Sequence, residues 1–196
     1  MELSPDILLN AYSQGYFPMA HPEEDNAIYW YDPNPRTILP LDAYHVPKRL
    51  ARTLRQEKFD ICLNTRFEAV MRGCAEPAPG RMSTWISEDI IDLYTALHNY
   101  GYAHSLEVCL EGELVGGVYG VSIGGFFAGE SMFSRVTDAS KVALIKLIEH
   151  LKEQGFSLFD VQFTNKHIAQ FGTREIPRAE YKRRLAKALR QNVKFL

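Results

Sequence analysis

The sequence of 196 residues contains no long apolar run and little cysteine. A membrane span needs about 20 consecutive apolar residues, and the N-terminal MELSPDILLN has neither the basic flank nor the apolar centre of a signal peptide. We therefore expect a cytoplasmic protein with no membrane partner. Its cysteines, Cys62, Cys74 and Cys109, are widely spaced and form no CxxC pair, which argues against a disulfide framework or zinc site and predicts buried thiols.

An excess of positive charge is also lacking, since the formal net charge is -2. This balance argues against a globally basic nucleic-acid binder and against DNA as a partner. Two predicted amphipathic helices, in HVPKRLARTLRQEKF and YKRRLAKALRQNVKFL, nevertheless have a basic face. The first carries Lys48, Arg49, Arg52 and Arg55. One such stripe is ordinarily a solvated surface, but two beside a site would suit the phosphates of RNA.

Turn residues and hydrophobic periodicity predict one main α/β domain with a small N-terminal unit. A short helix over 4–15 begins at Ser4 and Pro5 and ends at Gly15. The DPNP run near residue 34 is a boundary signal, so we expect the N-terminal unit at 1–34 and the larger domain at 35–196.

Within 35–196 the pattern predicts a mixed, largely antiparallel sheet with packed helices. Strands are expected at 36–40, 60–64, 104–110, 113–122 and 126–132 and in SLFDVQF, and helices at 67–74 and 87–100. A long helix is expected from Thr137 or Asp138 as N-cap to Gly155. An antiparallel meander followed by a helix and a strand is an α/β layout in which the helix packs across the sheet.

Polar residues interrupt two of these apolar strands. In FDVQF, strand alternation places Asp160 and Gln162 on one face and Phe159, Val161 and Phe163 on the other. An isolated D-x-Q is ordinarily just a polar sheet face.

The second interruption is Glu130, within the apolar run GGFFAGESMFSR. A carboxylate there is costly unless it is paired. We expect it to meet either a cationic ligand or a cationic side chain, for which Lys141 and Arg135 are the candidates.

Several unusual strings occur in order along the chain: AYSQGYFPM, RMSTWIS, YGYAHSLEV, GELVGGVYG, GESMFS, DASKVAL and FDVQF. Over nearly its whole length the sequence resembles the leucyl/phenylalanyl-tRNA–protein transferase family. The resemblance implies an acyltransferase fold of the N-acetyltransferase type. It also implies transfer of Leu or Phe, and less readily Met, from aminoacyl-tRNA to proteins with N-terminal Arg or Lys, which marks them for N-degron (N-end rule) degradation. The resemblance also implies a monomer. No cofactor or metal is expected, because the aminoacyl ester is already activated.

Residue roles follow from the same resemblance. Asp160 and Gln162 match the proposed catalytic positions, with Asp160 as proton acceptor or relay and Gln162 orienting the amine or the ester carbonyl. Glu130 lies at the aminoacyl-binding site, where the aminoacyl α-ammonium is its expected partner. Trp85 and Met19 match positions that hold the terminal adenosine. Because the family commonly has Trp in place of Met19, we expect weaker binding of the tRNA end.

The family's pocket for the Leu or Phe side chain maps onto five apolar residues: Val118, Phe127, Leu144, Leu147 and Leu151. Their spacing alone is that of core residues, so only the resemblance assigns them to a pocket. Family pockets can carry larger side chains at three of these positions. We therefore expect a roomier pocket here, favouring Phe over Leu.

Two other functions stay open. In a CoA-dependent N-acyltransferase, backbone N–H groups of a glycine-rich turn before a helix receive pyrophosphate. The junction SRVTDASK lacks those glycines and places Asp138 where an anion would be repelled. A noncatalytic RNA-binding module would use the basic helices but would leave Glu130, Asp160 and Gln162 without a common purpose.

Overall fold

The computed structural model describes residues 3–24, 27–77 and 84–196. Its helices are α1 (Pro5–Ser13), α2 (Lys48–Arg55), α3 (Phe67–Ala75), α4 (Glu88–Asn99), α5 (Ala139–Gln154), α6 (Lys166–Ala169) and α7 (Arg178–Ala188), with a 3-10 turn at Pro22–Glu24. Its strands are β1 (Phe17–His21), β2 (Ala27–Tyr31), β3 (Arg36–Ile38), β4 (Asp60–Leu63), β5 (Ala103–Leu110), β6 (Glu113–Ile123), β7 (Phe126–Ser134), β8 (Leu158–Gln162) and β9 (Arg174–Ile176). The predicted helices and strands occur in the expected order, whereas β1, β2, α6 and β9 were not predicted from the sequence.

The main sheet has seven strands in the order β4-β5-β6-β7-β8-β3-β9, and β1 pairs with β2 in a separate hairpin. All pairings in the main sheet are antiparallel except that of β7 with β8. This parallel pairing covers only Phe126–Ala128 against Leu158–Asp160, whereas β7 continues along β6 to Ser134. The two strands therefore part beyond Ala128 and leave an opening in the sheet. The predicted mixed, largely antiparallel sheet with packed helices is confirmed.

Helices cover both faces of this sheet. One apolar cluster joins the sheet to α1, α3, α4 and α7, and the other joins it to α2 and α5. Adjacent residues Phe126 and Phe127 on β7 enter different clusters, as strand alternation requires. Leu8 and Tyr12 of α1 belong to the first cluster, so the N-terminal segment shares the main core. A division of the chain after residue 34 stays a prediction.

Residues at the helix ends act largely as the sequence predicts. The Ser4 hydroxyl accepts the Ile7 N–H at 3.4 Å at the start of α1, and Gly15 follows with φ of 84°. Gly155 ends α5 with φ of 88°, a conformation that glycine adopts without steric cost. Asp138 occupies the N-cap position of α5, as expected, but its side chain makes no capping bond.

Cysteine environments agree in part with the expectation of buried thiols. Cys74 and Cys109 are buried, and Cys62 is half-buried. In the described ranges, no helix has both the length and the apolar character needed to cross a bilayer.

Candidate active site

The opening between β7 and β8 forms a cavity of about 1000 Å³. Residues of β7 from Gly129 onward form one wall, and Phe159 and Val161 of β8 form another. Two of the predicted pocket residues, Val118 and Leu144, also line it. This volume is at the upper end of the roughly 300–1,000 Å³ typical of small-molecule sites.

The other three predicted pocket residues lie deeper. Phe127, Leu147 and Leu151 are at most 1% exposed and are not among the described residues that line the cavity. The Phe127 ring contacts that of Phe159, with 5.7 Å between centroids, so it lies one layer behind the wall. In this geometry these three side chains support the pocket from the core.

Glu130 lies in β7 on the cavity wall. Its Oε1 accepts hydrogen bonds from the Tyr12 hydroxyl at 2.7 Å and from Gln162 Nε2 at 3.0 Å. Its Oε2 is buried and has no hydrogen-bond partner among the described residues. Burial raises the pKa of Glu130 to about 7, with the hydrogen bonds opposing that rise. One of its oxygens is thus held in place while the other lacks a donor.

Protein cations do not satisfy this carboxylate. Lys141 pairs with Asp138 at 3.2 Å, and Arg135 pairs with Glu76 at 2.5 Å. No ion pair to Glu130 occurs within 4.0 Å across the described part of the chain. The alternative that the sequence left open, an ion pair of Glu130 with Lys141 or Arg135, is therefore not formed.

Two tyrosines that the sequence reading missed complete the surroundings of Glu130. The Tyr12 hydroxyl, on α1, lies 2.6 Å from the Tyr94 hydroxyl, on α4. Burial raises the pKa of both well above 10, so both stay neutral. AYSQGYFPM contains Tyr12, but no local pattern indicates a partner 118 residues away.

Asp160 lies in β8 and is fully buried. Its Oδ2 accepts from Arg36 Nη2 at 2.6 Å and from the Tyr181 hydroxyl at 2.8 Å. Its Oδ1 accepts from Arg36 Nε at 3.0 Å and from the Gln162 backbone N–H at 2.8 Å. Both oxygens of this carboxylate already accept hydrogen bonds from protein groups. The geometry therefore favours an orienting role for Asp160 over direct contact with a substrate amine.

Gln162 ends β8 in the left-handed region, with φ of 65°. Strand alternation stops there, and Phe163 packs against Phe17 at 5.5 Å and Tyr31 at 6.5 Å between ring centroids. Those rings belong to the cluster of α1 and α7 rather than to that of Phe159. The prediction that Phe163 shares a face with Phe159 is therefore wrong, because the backbone turns at Gln162.

Comparison with known proteins identifies the family of this chain. A model described as leucyl/phenylalanyl-tRNA protein transferase matches residues 38–186, and one for the N-terminal domain of that protein matches residues 1–34. The chain belongs to the leucyl/phenylalanyl-tRNA–protein transferase family. A relative of that name from Paramagnetospirillum magneticum is 55% identical over 193 residues, covering 98% of this chain and 92% of the relative. Another, from Gloeobacter violaceus, is 54% identical and covers 98% and 97%.

Likeness to solved structures is weaker. The structure of L-PGS from Bacillus licheniformis superposes with a TM-score of 0.47 and 16% identity, over 82% of this chain and 57% of that one. The assignment to the transferase family rests on the sequence relatives.

The two residues expected at the tRNA end of this transferase-family site do not line the cavity. Met19 on β1 and Trp85 before α4 are half-buried and pack against the cluster of α1 and α4. Residues 81–83 of RMSTWIS lie outside the described ranges. A role for Met19 and Trp85 in binding adenosine stays a prediction.

The first basic helix has the predicted amphipathic character. Leu50 is buried, and the basic residues Lys48, Arg49, Arg52 and Arg55 are exposed. Helix α2 packs on α5, whose residue Ser140 lines the cavity. The second basic helix, α7, belongs to the opposite face of the sheet. The two basic surfaces are therefore separate, which differs from the expectation that they jointly flank one site.

The start of α5 bears on the CoA alternative. Asp138 holds its carboxylate there, accepting from Lys141 Nζ at 3.2 Å and from the Thr53 hydroxyl at 3.2 Å. Hydrogen bonding and the charge of Lys141 outweigh partial burial and lower the pKa of Asp138. A negative charge at this helix N-terminus disfavours the pyrophosphate of CoA.

Proposed function

We propose that this chain transfers Leu or Phe, and less readily Met, from aminoacyl-tRNA to the α-amine of proteins that begin with Arg or Lys. It does so as a cytoplasmic monomer. The observation that carries the proposal is Glu130, a residue of the cavity wall whose Oε1 bonds to Gln162 and whose buried Oε2 has no partner among the described residues. Such a site suits a ligand with an apolar side chain and an adjacent ammonium group.

The aminoacyl group fits this arrangement in two parts. Its side chain lies among Val118, Leu144, Met132 and Phe159, all of which line the cavity. Its α-ammonium lies against Glu130 and supplies the donor that Oε2 lacks. An approaching cation favours the ionised carboxylate, so binding lowers the raised pKa of Glu130.

The reaction joins two bound groups without an external energy source. The acceptor amine attacks the ester carbonyl carbon, a C–N bond forms, and the C–O bond to the terminal ribose breaks. One proton passes from the amine to the departing ribose hydroxyl. The Gln162 amide, next to Glu130 at 3.0 Å, orients the amine or the ester carbonyl. Holding both substrates in this geometry supplies most of the rate enhancement.

The exposed basic face of α2 binds the tRNA body. Phosphate contacts from Lys and Arg supply much of the affinity of proteins for nucleic acids. The α2 helix is close to the cavity through α5, because the Thr53 hydroxyl bonds to Asp138, two residues before Ser140. The terminal adenosine of the tRNA binds against Trp85 and Met19.

The decisive experiment is transfer of radiolabelled Phe from charged tRNA to a peptide that begins with Arg, without ATP or added metal. The wild-type protein is expected to transfer Phe. Glu130→Gln is expected to lower kcat/KM by at least about tenfold, because it loses a charge-assisted contact. Glu153→Gln, an exposed change on α5, serves as the matched control and should leave transfer unchanged.

Each other outcome has a defined meaning. Tight binding of charged tRNA with no transfer would favour the noncatalytic RNA-binding module. Acetyl transfer from CoA would favour the N-acyltransferase. Full activity of Glu130→Gln would leave the transferase assignment in place but remove Glu130 from substrate binding.

A further inference from the structure

Arg36 is the largest of the fully buried side chains in the described ranges, with 1% of its surface exposed. Its Nε donates to Asp160 Oδ1 at 3.0 Å, and its Nη2 donates to Asp160 Oδ2 at 2.6 Å. Its Nη1 donates to the Gly15 carbonyl at 2.9 Å, just after α1. The guanidinium also lies over the rings of Phe17 and Tyr181, at 4.7 and 4.4 Å from their centroids. One side chain thus joins β3, β8, the end of α1 and helix α7.

The geometry of this cluster continues directly into the site. Tyr181 donates its hydroxyl to Asp160 Oδ2 at 2.8 Å, while Asp160 Oδ1 accepts the Gln162 N–H at 2.8 Å. That last bond spans two residues and closes a turn at the end of β8. The turn leaves Gln162 in a left-handed backbone conformation and its Nε2 3.0 Å from Glu130.

A left-handed conformation is unfavourable for a residue with a side chain and persists only where its surroundings enforce it. The bond from the Gln162 N–H to Asp160 Oδ1 and that from the Phe163 N–H to the Val161 carbonyl, each 2.8 Å long, hold the chain in this conformation. The first bond requires a fixed orientation of the Asp160 carboxylate. Arg36 and Tyr181 set that orientation, because their hydrogen bonds to the two Asp160 oxygens restrain rotation of the carboxylate.

We propose that Arg36 and Tyr181 are positioning residues for the transfer reaction, acting through Asp160 to aim the Gln162 amide at the substrate. This inference rests on the proposed function, whose residues it deepens. Neither side chain touches the cavity. Sequence reasoning did not select either of them, since their partner lies 124 and 21 residues away along the chain.

An ion pair that only stabilised the fold would have different consequences. Loss of such a pair would lower the unfolding temperature but leave turnover of the folded enzyme intact. A positioning role predicts a loss of kcat while the KM for charged tRNA stays the same, since the tRNA surface of α2 lies on the other face of the sheet.

The first test is Tyr181→Phe, which removes one hydroxyl and keeps the ring over Arg36. It is expected to lower kcat about tenfold with an unchanged KM for charged tRNA, as loss of a bond to a charged group would. Tyr100→Phe, on an exposed ring, is the control. Unchanged kcat in Tyr181→Phe, measured well below its unfolding temperature, would overturn the proposal.

The second test uses the charges of the cluster. The ionisable groups facing Glu130 are Tyr12 on α1, Tyr94 on α4, Asp160 on β8 and Arg36 on β3. The tyrosines stay neutral, so only Arg36 and Asp160 act as charges, and they act in opposite directions. Arg36→Met is expected to move the acid limb of kcat/KM to higher pH, and Asp160→Asn to lower pH. The same acid limb in both variants would mean that the charges of this cluster do not act on Glu130, which would contradict the close coupling of cluster and site on which the proposal rests.

A third readout does not depend on transfer. The Gln162 backbone amide is expected to exchange slowly with deuterium in the wild type, and faster on the order of tenfold in Tyr181→Phe. The Tyr100→Phe control should not change it. If the wild type transfers nothing, the proposed function fails, while protection of this amide still decides whether Arg36 and Tyr181 hold Gln162. Equal exchange in wild type and Tyr181→Phe would overturn the inference alone.

Discussion

Asp160 and Glu130 are carboxylates on adjacent strands, yet the protein surrounds them in opposite ways. Asp160 is fully buried, and Arg36, Tyr181 and the Gln162 N–H donate to its two oxygens. Glu130 is held at one oxygen only, has no cation within ion-pair distance in the described ranges, and has its pKa raised to about 7.

This contrast separates two uses of a buried charge. A carboxylate whose hydrogen bonds are complete organises the protein around it, whereas one with a missing donor beside a cavity is available to a ligand. Two carboxylates on adjacent strands can therefore have different roles, and the partners of each indicate which role it has.

The largest expected effect is on the free energy of unfolding, when the ion pair of Arg36 with Asp160 is broken. Asp160→Ala leaves the Arg36 guanidinium buried without its partner, so we expect the free energy of unfolding to fall by about 3–5 kcal/mol. Denaturant unfolding at neutral pH measures this. Asp92→Ala, on the exposed face of α4, should change it by less than about 0.5 kcal/mol. An Asp160→Ala variant as stable as that control would show that the cluster is not a buried ion pair in solution.

At alkaline pH, Glu130→Gln should change the free energy of unfolding in the opposite direction and stabilise the folded protein. Since its pKa rises from 4.5 to about 7 on folding, Glu130 stabilises the folded state fully below 4.5, and this contribution is lost as the pH rises through 7. We therefore expect Glu130→Gln to raise the free energy of unfolding by about 1–3 kcal/mol near pH 8, with little change near pH 4. Equal destabilisation at both pH values would mean that Glu130 is not a raised-pKa group.

A smaller effect is expected on substrate choice. Val118→Met narrows the cavity and should lower transfer of Phe relative to Leu by up to about tenfold. Leu147→Met, behind the wall, is the matched change and should leave the ratio nearly constant. Competition between Phe-tRNA and Leu-tRNA for one acceptor peptide measures both variants. A larger shift with Leu147→Met would extend the aminoacyl pocket to the deeper predicted residues.

The smallest effect belongs to single basic residues of α2. Arg52→Ala should weaken binding of charged tRNA modestly and reduce the slope of log affinity against log salt by about 1. Lys187→Ala on α7, across the sheet, is the comparison. Equal losses in the two variants would place the tRNA on both basic surfaces.

Much of the fold follows from local sequence signals. Ser4 and Gly15 bound the first helix and Gly155 ends the long helix, because capping and left-handed residues act over a few positions. The meander is equally local, since Glu111 and Gly112 both take positive φ in a two-residue turn. Glu130 stands out for a similar reason, as the acid within an apolar strand.

The parts that could not be predicted depend on distant contacts. Arg36 meets Asp160 across 124 residues and Tyr12 meets Glu130 across 118, and no periodicity reports such pairs. Spacing also cannot tell a cavity wall from a core. Leu144 and Leu147 lie on one face of the same helix, but only Leu144 reaches the opening. The division depends on where β7 and β8 part, which is a property of the assembled sheet.

The most direct test of the account measures how Glu130 responds to the α-amine of the aminoacyl group. Transfer from tRNA charged with Phe is compared with transfer from tRNA carrying 3-phenylpropionate, which has the same side chain but no ammonium group. We expect the wild type to use the 3-phenylpropionyl ester at least about tenfold more slowly, and Glu130→Gln to transfer both groups at similar rates. The same penalty in both proteins would contradict the claim that Glu130 binds the aminoacyl ammonium.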